Sequence, residues 1–159
     1  MIFNCNLCKD IDDYKIDLKS FNILNNRIDE DNDKVCVNVA VSTEYLDPIA
    51  KDKTIEVLFS VKVVGLNAKE KDENSKNNIK DRLNSMDLNN DELLFSIDIL
   101  YTIIFKCNKK IKIEENFLND EMKGNIRNIL KPYIDETLSY ASLKIGLPRL
   151  ELPPFRLKK

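Results

Sequence analysis

A chain of 159 residues, 43% hydrophobic and 33% charged, can build one ordinary core and is too apolar to be disordered. A formal net charge of −2 offers no general attraction to phosphate backbones, so nucleic acid is not an expected partner. No apolar run is long enough to span a bilayer, and residues 1–10 lack a basic stretch followed by an apolar one. The expectation is a cytoplasmic protein without membrane contact.

The first feature along the chain is Cys5-x-x-Cys8. It is half of a zinc site at most, since no second CxxC or HxxxH follows, and no metal is expected. Without a secretory signal, all four cysteines (Cys5, Cys8, Cys36, Cys107) are expected to be reduced. Residues 14–24 form a weak first strand. Residues 29–33 (Asp-Glu-Asp-Asn-Asp) start like a calcium loop but put Lys34 where the sharp turn needs glycine, so they read as an acidic turn.

Residues 35–46 alternate cleanly, with Val35, Val37, Val39, Val41, Thr43 and Tyr45 on one side. Residues 54–66 repeat the alternation with Ile55, Val57, Phe59, Val61 and Val63. A period of two marks strands with one buried face. The connection 46–53, with Pro48, reads as a turn or short loop and makes the pair antiparallel. Residues 67–92 form a polar, asparagine-rich connection. There Ile79, Leu83 and Met86 allow either a short surface helix near 75–86 or a crossover loop, and 87–91 repeat the acidic-turn pattern. Residues 93–106 are the longest strand, with Phe95, Ile97, Ile99, Tyr101, Ile103 and Phe105 on one face and Leu94, Leu100 and Ile104 among the polar residues of the other. Apolar residues on both faces indicate an interior strand, or a second face that meets a partner.

From Asn116 the period becomes helical. Leu118, Met122, Ile126, Ile129/Leu130, Tyr133, Thr137/Leu138, Ala141 and Ile145 make the stripe, and Tyr133 is expected to pack it on the sheet. Asn116 or Asn119 caps the start, and Gly146 followed by Pro148 ends it. Pro132 either kinks one helix or opens a second. Residues 147–159, with Pro148, Pro153 and Pro154, form an extended tail. The fold class is α+β: a single domain over 1–159 in which a four-stranded antiparallel β-sheet precedes a C-terminal α-helical region.

The chain has no histidine and only Gly65, Gly124 and Gly146 as glycines. Serine–histidine and cysteine–histidine nucleophiles and glycine-rich phosphate loops are thereby excluded. No pair of acidic residues stands out. Neither an enzyme nor a cofactor is expected.

One stretch has a family signature. Asn128-Ile129-Leu130-Lys131-Pro132-Tyr133, then Glu136, Gly146-Leu147-Pro148 and Leu150-Glu151-Leu152-Pro153-Pro154-Phe155 resemble the corresponding region of the SecB family of export chaperones. About thirty residues carry the motif closely; the remainder agree in element order and length. The resemblance implies an ATP-independent holdase that binds unfolded or partly folded polypeptides and assembles as a dimer of dimers. A translocase or a toxin is the further partner it implies. SecB proteins usually continue into a second amphipathic helix, whereas this sequence stops at Lys158-Lys159, which puts translocase coupling in doubt. The other reading is a dedicated interaction module for one fixed partner, without general chaperone activity.

Geometry supports self-association. A helix is about 10 Å wide and strands repeat about every 4.8 Å, so one helix covers about two of four strands. The leftover apolar face is expected to be covered by further copies or by clients, with Tyr45, Tyr101 and Phe105 as the polypeptide-binding residues. Core packing is the alternative for each of them.

Overall fold

The computed structural model describes residues 10–26, 37–67, 93–110, 112–113 and 115–153. The expectations for Cys5, Cys8 and Cys36, for the two acidic turns, for the 75–86 segment and for the tail beyond 153 lie outside these residues. Five strands and one helix occur among them: β1 Ile11–Asn25, β2 Val37–Tyr45, β3 Ile49–Lys51, β4 Thr54–Asn67, β5 Leu93–Cys107 and α1 Asp120–Lys144. The sheet order is β1-β5-β4-β2, with β3 paired to β4 beside it, and every pairing is antiparallel. The expected α+β class holds. The sheet has a fifth strand because residues 49–51 of the predicted loop pair with 54–56. A tight turn makes this possible: Asp52 takes φ 51°, a left-handed conformation that aspartate tolerates, and Thr54 Oγ1 donates to the Lys51 carbonyl at 2.8 Å.

β5 lies between β1 and β4, the interior position its two apolar faces indicate. Register carries the inward set from strand to strand: Tyr45 opposes Phe59, which opposes Tyr101. Gly65 opposes Phe95, and a Cβ at Gly65 would lie 2.0 Å from the Phe95 ring, so the ring occupies the side-chain space glycine leaves empty. β1 keeps its register with β5 through an irregularity between Leu18 and Ser20. Before it, Tyr14, Ile16 and Leu18 oppose odd-numbered β5 residues, and after it Phe21 and Ile23 do so. The inward parity of β1 switches at this bulge.

α1 is continuous through Pro132. Asn119 is the cap, its Oδ1 accepting from the Met122 amide at 2.9 Å, as preferred at this position. At the other end Gly146 takes φ 73°. The Leu147 amide then donates to the Ser142 carbonyl at 2.9 Å and the Gly146 amide to Leu143 at 3.4 Å, a Schellman closure.

The buried stripe is Met122, Ile126, Leu130, Ile134, Leu138 and Ala141, all fully buried. This corrects the expected stripe at one turn: Ile134 packs inward and Tyr133 is 46% exposed. Steps of four residues advance about 40° beyond a full helical circle, so the stripe winds around α1. A helix buried along a winding stripe crosses its sheet obliquely, and the contacts follow that path. The Lys123 carbonyl meets Tyr45 of β2, Tyr133 and Thr137 meet Tyr101 of β5, and Tyr140 meets Phe21 of β1 with ring centroids 6.1 Å apart.

Candidate functional site

The fully covered inward residues belong to the two central strands, Ile55, Val57, Phe59, Val61 and Val63 on β4 and Phe95, Ile97, Ile103 and Phe105 on β5. On the flanking strands Ile11 is buried at the start of β1, and the following inward residues are half-buried: Tyr14, Ile16, Phe21 and Ile23 on β1, and Val37, Val41 and Tyr45 on β2. Two inward residues remain open, Leu18 on β1 at 48% and Val39 on β2 at 43%. The helix is about two strands wide in effect, as its diameter requires.

The three aromatic residues expected at a binding surface divide accordingly. Phe105 is fully buried and Tyr101 is 5% exposed. The Tyr101 hydroxyl donates to the Tyr133 carbonyl at 3.1 Å and shares a 2.8 Å bond with Thr137 Oγ1. Burial pushes its pKa up, against the opposing effect of the Thr137 bond. Both residues are core in the single chain, which corrects the expectation that they present themselves at its surface. The alternation that marks them as inward-facing also places them under α1. Tyr45 lies at the rim. It meets Phe59 edge-on with ring centroids 4.7 Å apart, and its hydroxyl donates to the Lys123 carbonyl at 2.7 Å. Burial raises its pKa to about 12, and the nearby Arg127 guanidinium partly offsets this. The hydroxyl therefore remains a hydrogen-bond donor at neutral pH.

The segment after α1 forms a feature the sequence reading missed. Residues 147–153 turn back along α1. The Leu150 amide donates to Ser142 Oγ at 3.1 Å and the Leu152 amide to Asp135 Oδ1 at 2.7 Å. Lys131 Nζ donates to the Leu152 carbonyl at 3.3 Å and Arg127 Nη2 to that of Pro153 at 2.6 Å. Arg127 also reaches Thr43 Oγ1 on β2 at 3.4 Å, which places this strap on the β2 side of α1. A signal was available: Arg127, Lys131, Asp135 and Ser142 follow one another at steps of four, four and seven, one polar flank beside the apolar stripe.

Other apolar side chains are exposed at two places. Tyr133, Tyr140 and Leu143 are exposed on α1, Tyr140 beside β1 where it meets Phe21, with Lys144 Nζ 5.3 Å from the Tyr140 ring centroid. Leu24, Leu46 and Ile49 are exposed on the sheet face away from α1, where Leu58, Leu100 and Ile104 are half-buried. An open depression of about 620 Å³ between α1 and the strap is lined by Asn128, Lys131, Asp135, Glu136, Ser139 and Arg149, among others. Its acids are not a free pair, because Asp135 is committed to Lys131 and to the Leu152 amide.

Among the described residues, no group of three or more potential metal ligands comes together and no helix is long and apolar enough to cross a membrane. Cys107 is buried. Burial pushes its thiol pKa up, as do Asp10 and Asp12 nearby, which makes it a poor nucleophile.

No protein-family model matches the chain, and no curated protein matches its sequence. Solved structures do match. The Mycobacterium tuberculosis Rv1957 SecB-like chaperone, in complex with a ChAD peptide from the Rv1956 HigA1 antitoxin, superposes with a TM-score of 0.57 at 14% identity, over 91% of this chain and 90% of that one. A Streptococcus agalactiae protein of unknown function matches at a TM-score of 0.40 and 12% identity, over 89% of this chain and 97% of that one. The first of these shows that the fold is SecB-like.

Proposed function

We propose that this chain binds unfolded or partly folded polypeptides without ATP, as a holdase-type chaperone of the cytoplasm. One observation carries the reading. The apolar face of the sheet is wider than the helix that covers it, so Leu18 and Val39 stay open although they share a side with fully buried neighbours. The half-buried inward residues of β1 and β2, including Tyr45, flank them. Two apolar margins with polar surroundings suit an extended client that makes many weak contacts along a surface. The SecB-like fold supports the reading, since the mycobacterial relative in fold is a chaperone holding a peptide.

Self-association belongs to the same proposal. Tyr133, Tyr140 and Leu143 on α1 are exposed, and a second copy is the economical cover for them, leading to a dimer or a dimer of dimers. A second functional reading has its own support. The mycobacterial structure holds one defined antitoxin peptide, and on that pattern the same margins would serve a single dedicated partner.

Promiscuity separates the two. Purified protein at an equimolar ratio should slow the aggregation of several unrelated unfolded proteins, and it should sediment above the monomer mass of 18.5 kDa at micromolar concentration. Suppression of none of them would replace the holdase with the dedicated binder. A monomer mass would remove the assembly.

A further inference from the structure

The strap is held chiefly through its main chain. Ser142 and Asp135 accept from the amides of Leu150 and Leu152, two residues apart and therefore on the same side of an extended chain. Lys131 and Arg127 donate to the next carbonyls, of Leu152 and Pro153. The one side chain taken fully inside is Leu152, at 2% exposure. Two acceptors, two cationic donors and one apolar socket recognise an extended backbone with a single anchor, and very little of its sequence.

Emptying the ladder would open the Leu152 socket for another apolar anchor while its charged side chains keep partners. Lys131 and Asp135 are already paired with each other at i and i+4, and Arg127 keeps Thr43. Gly146, at φ 73°, marks where the chain turns from α1 into the strap. The open depression beside it offers space to the side chains of an incoming segment.

We propose that residues 150–153 are a built-in stand-in for a client. The flank formed by Arg127, Lys131, Asp135 and Ser142, with the Leu152 socket, accepts an extended segment of another polypeptide that carries one apolar anchor, and the strap leaves to admit it. This rests on the polypeptide-binding reading and names a subsite for it. The strap is tethered a few residues from its socket, an effective concentration on the order of millimolar. A short free peptide competes poorly against that. A long unfolded chain already held at Val39 is tethered too, and competes on equal terms. The device therefore favours unfolded chains over loose peptides.

The test uses the full chain and, as probe, a fluorescent peptide of residues 147–157. Leu152→Asp expels the strap, and the variant should bind the probe at least about tenfold more tightly than the wild type, where the strap competes at its tethered concentration. Adding Asp135→Ala should weaken that binding by about tenfold, the share of one charge-assisted hydrogen bond. A folded Leu152→Asp variant that gains no binding, or that ignores Asp135→Ala, overturns the proposal. A second measurement needs no variant: hydrogen exchange of the wild type with a reduced, alkylated and permanently unfolded polypeptide. Amides of Leu150 and Leu152 should lose protection while those of Ile126 to Leu138 keep it. If the polypeptide binds and Leu150 and Leu152 stay protected, the polypeptide-binding reading stands and the strap proposal falls. If the wild type binds no unfolded polypeptide, the strap does not yield to a client, and the proposal falls together with the general reading even where Leu152→Asp captures the probe.

Discussion

Ile134→Ala should destabilise the chain by about 2–5 kcal/mol, the range for emptying a large aliphatic site in a packed core, whereas Tyr133→Ala should cost less than about 1 kcal/mol. Ile134 is fully buried between α1 and the sheet. Tyr133 is 46% exposed, and what Tyr101 uses is its backbone carbonyl, which alanine retains. Alanine is also the better helix former, so the Tyr133 change recovers part of any loss. Urea unfolding of the two variants measures the difference. Equal losses, or a larger one at Tyr133, would mean that α1 presents a different face to the sheet.

Gly65→Ala should cost about 3 kcal/mol, at the upper end for overpacking. The new Cβ would start 2.0 Å from the Phe95 ring, and that ring is itself 1% exposed, with no solvent to retreat into. Relief should come from the partner: in a Phe95→Leu background the same substitution should cost markedly less, a coupling that a double-mutant cycle reads directly. A Gly65→Ala protein with wild-type stability would contradict the register that sets Gly65 against Phe95.

How much of this was legible in the sequence depends on how local the determining physics is. β2, β4 and β5 announce themselves because each alternates without interruption, and alternation is set by the strand period alone. β1 reads weakly for an identifiable reason. Its apolar set is Tyr14, Ile16 and Leu18, then Phe21 and Ile23, and the parity change that spoils the pattern is the bulge between Leu18 and Ser20. β3 is three residues long, too short to hold a pattern, and it exists because a left-handed Asp52 brings it onto β4. The helix and both its caps follow from Asn119 and Gly146. The choice between Tyr133 and Ile134 does not, because it depends on the oblique course of α1 across the sheet.

At the candidate site the sequence makes the width of the sheet legible, but not which aromatics the helix covers. That one helix leaves part of a four-strand face uncovered follows from widths alone, and Leu18 and Val39 are the outcome. Which aromatics the helix covers is a matter of strand order. Tyr101 and Phe105 are buried because β5 is central, whereas Tyr45 stays at the rim because β2 is an edge strand. Strand order is long-range information that period cannot supply. The strap was hidden for a further reason. Its partners on α1 are polar, and a search for apolar stripes passes over Arg127, Lys131, Asp135 and Ser142.

The uncovered margin is the heart of the functional account, and Val39 is where it can be probed with the least disturbance to the core. A labelled, permanently unfolded polypeptide should bind the wild-type protein saturably. Val39→Asp should weaken that binding by about tenfold, through lost apolar burial and an added charge at the margin, while the melting temperature stays close to that of the wild type. Undiminished binding by a folded Val39→Asp protein, or no binding by the wild type, would contradict the assignment of that margin to polypeptide clients.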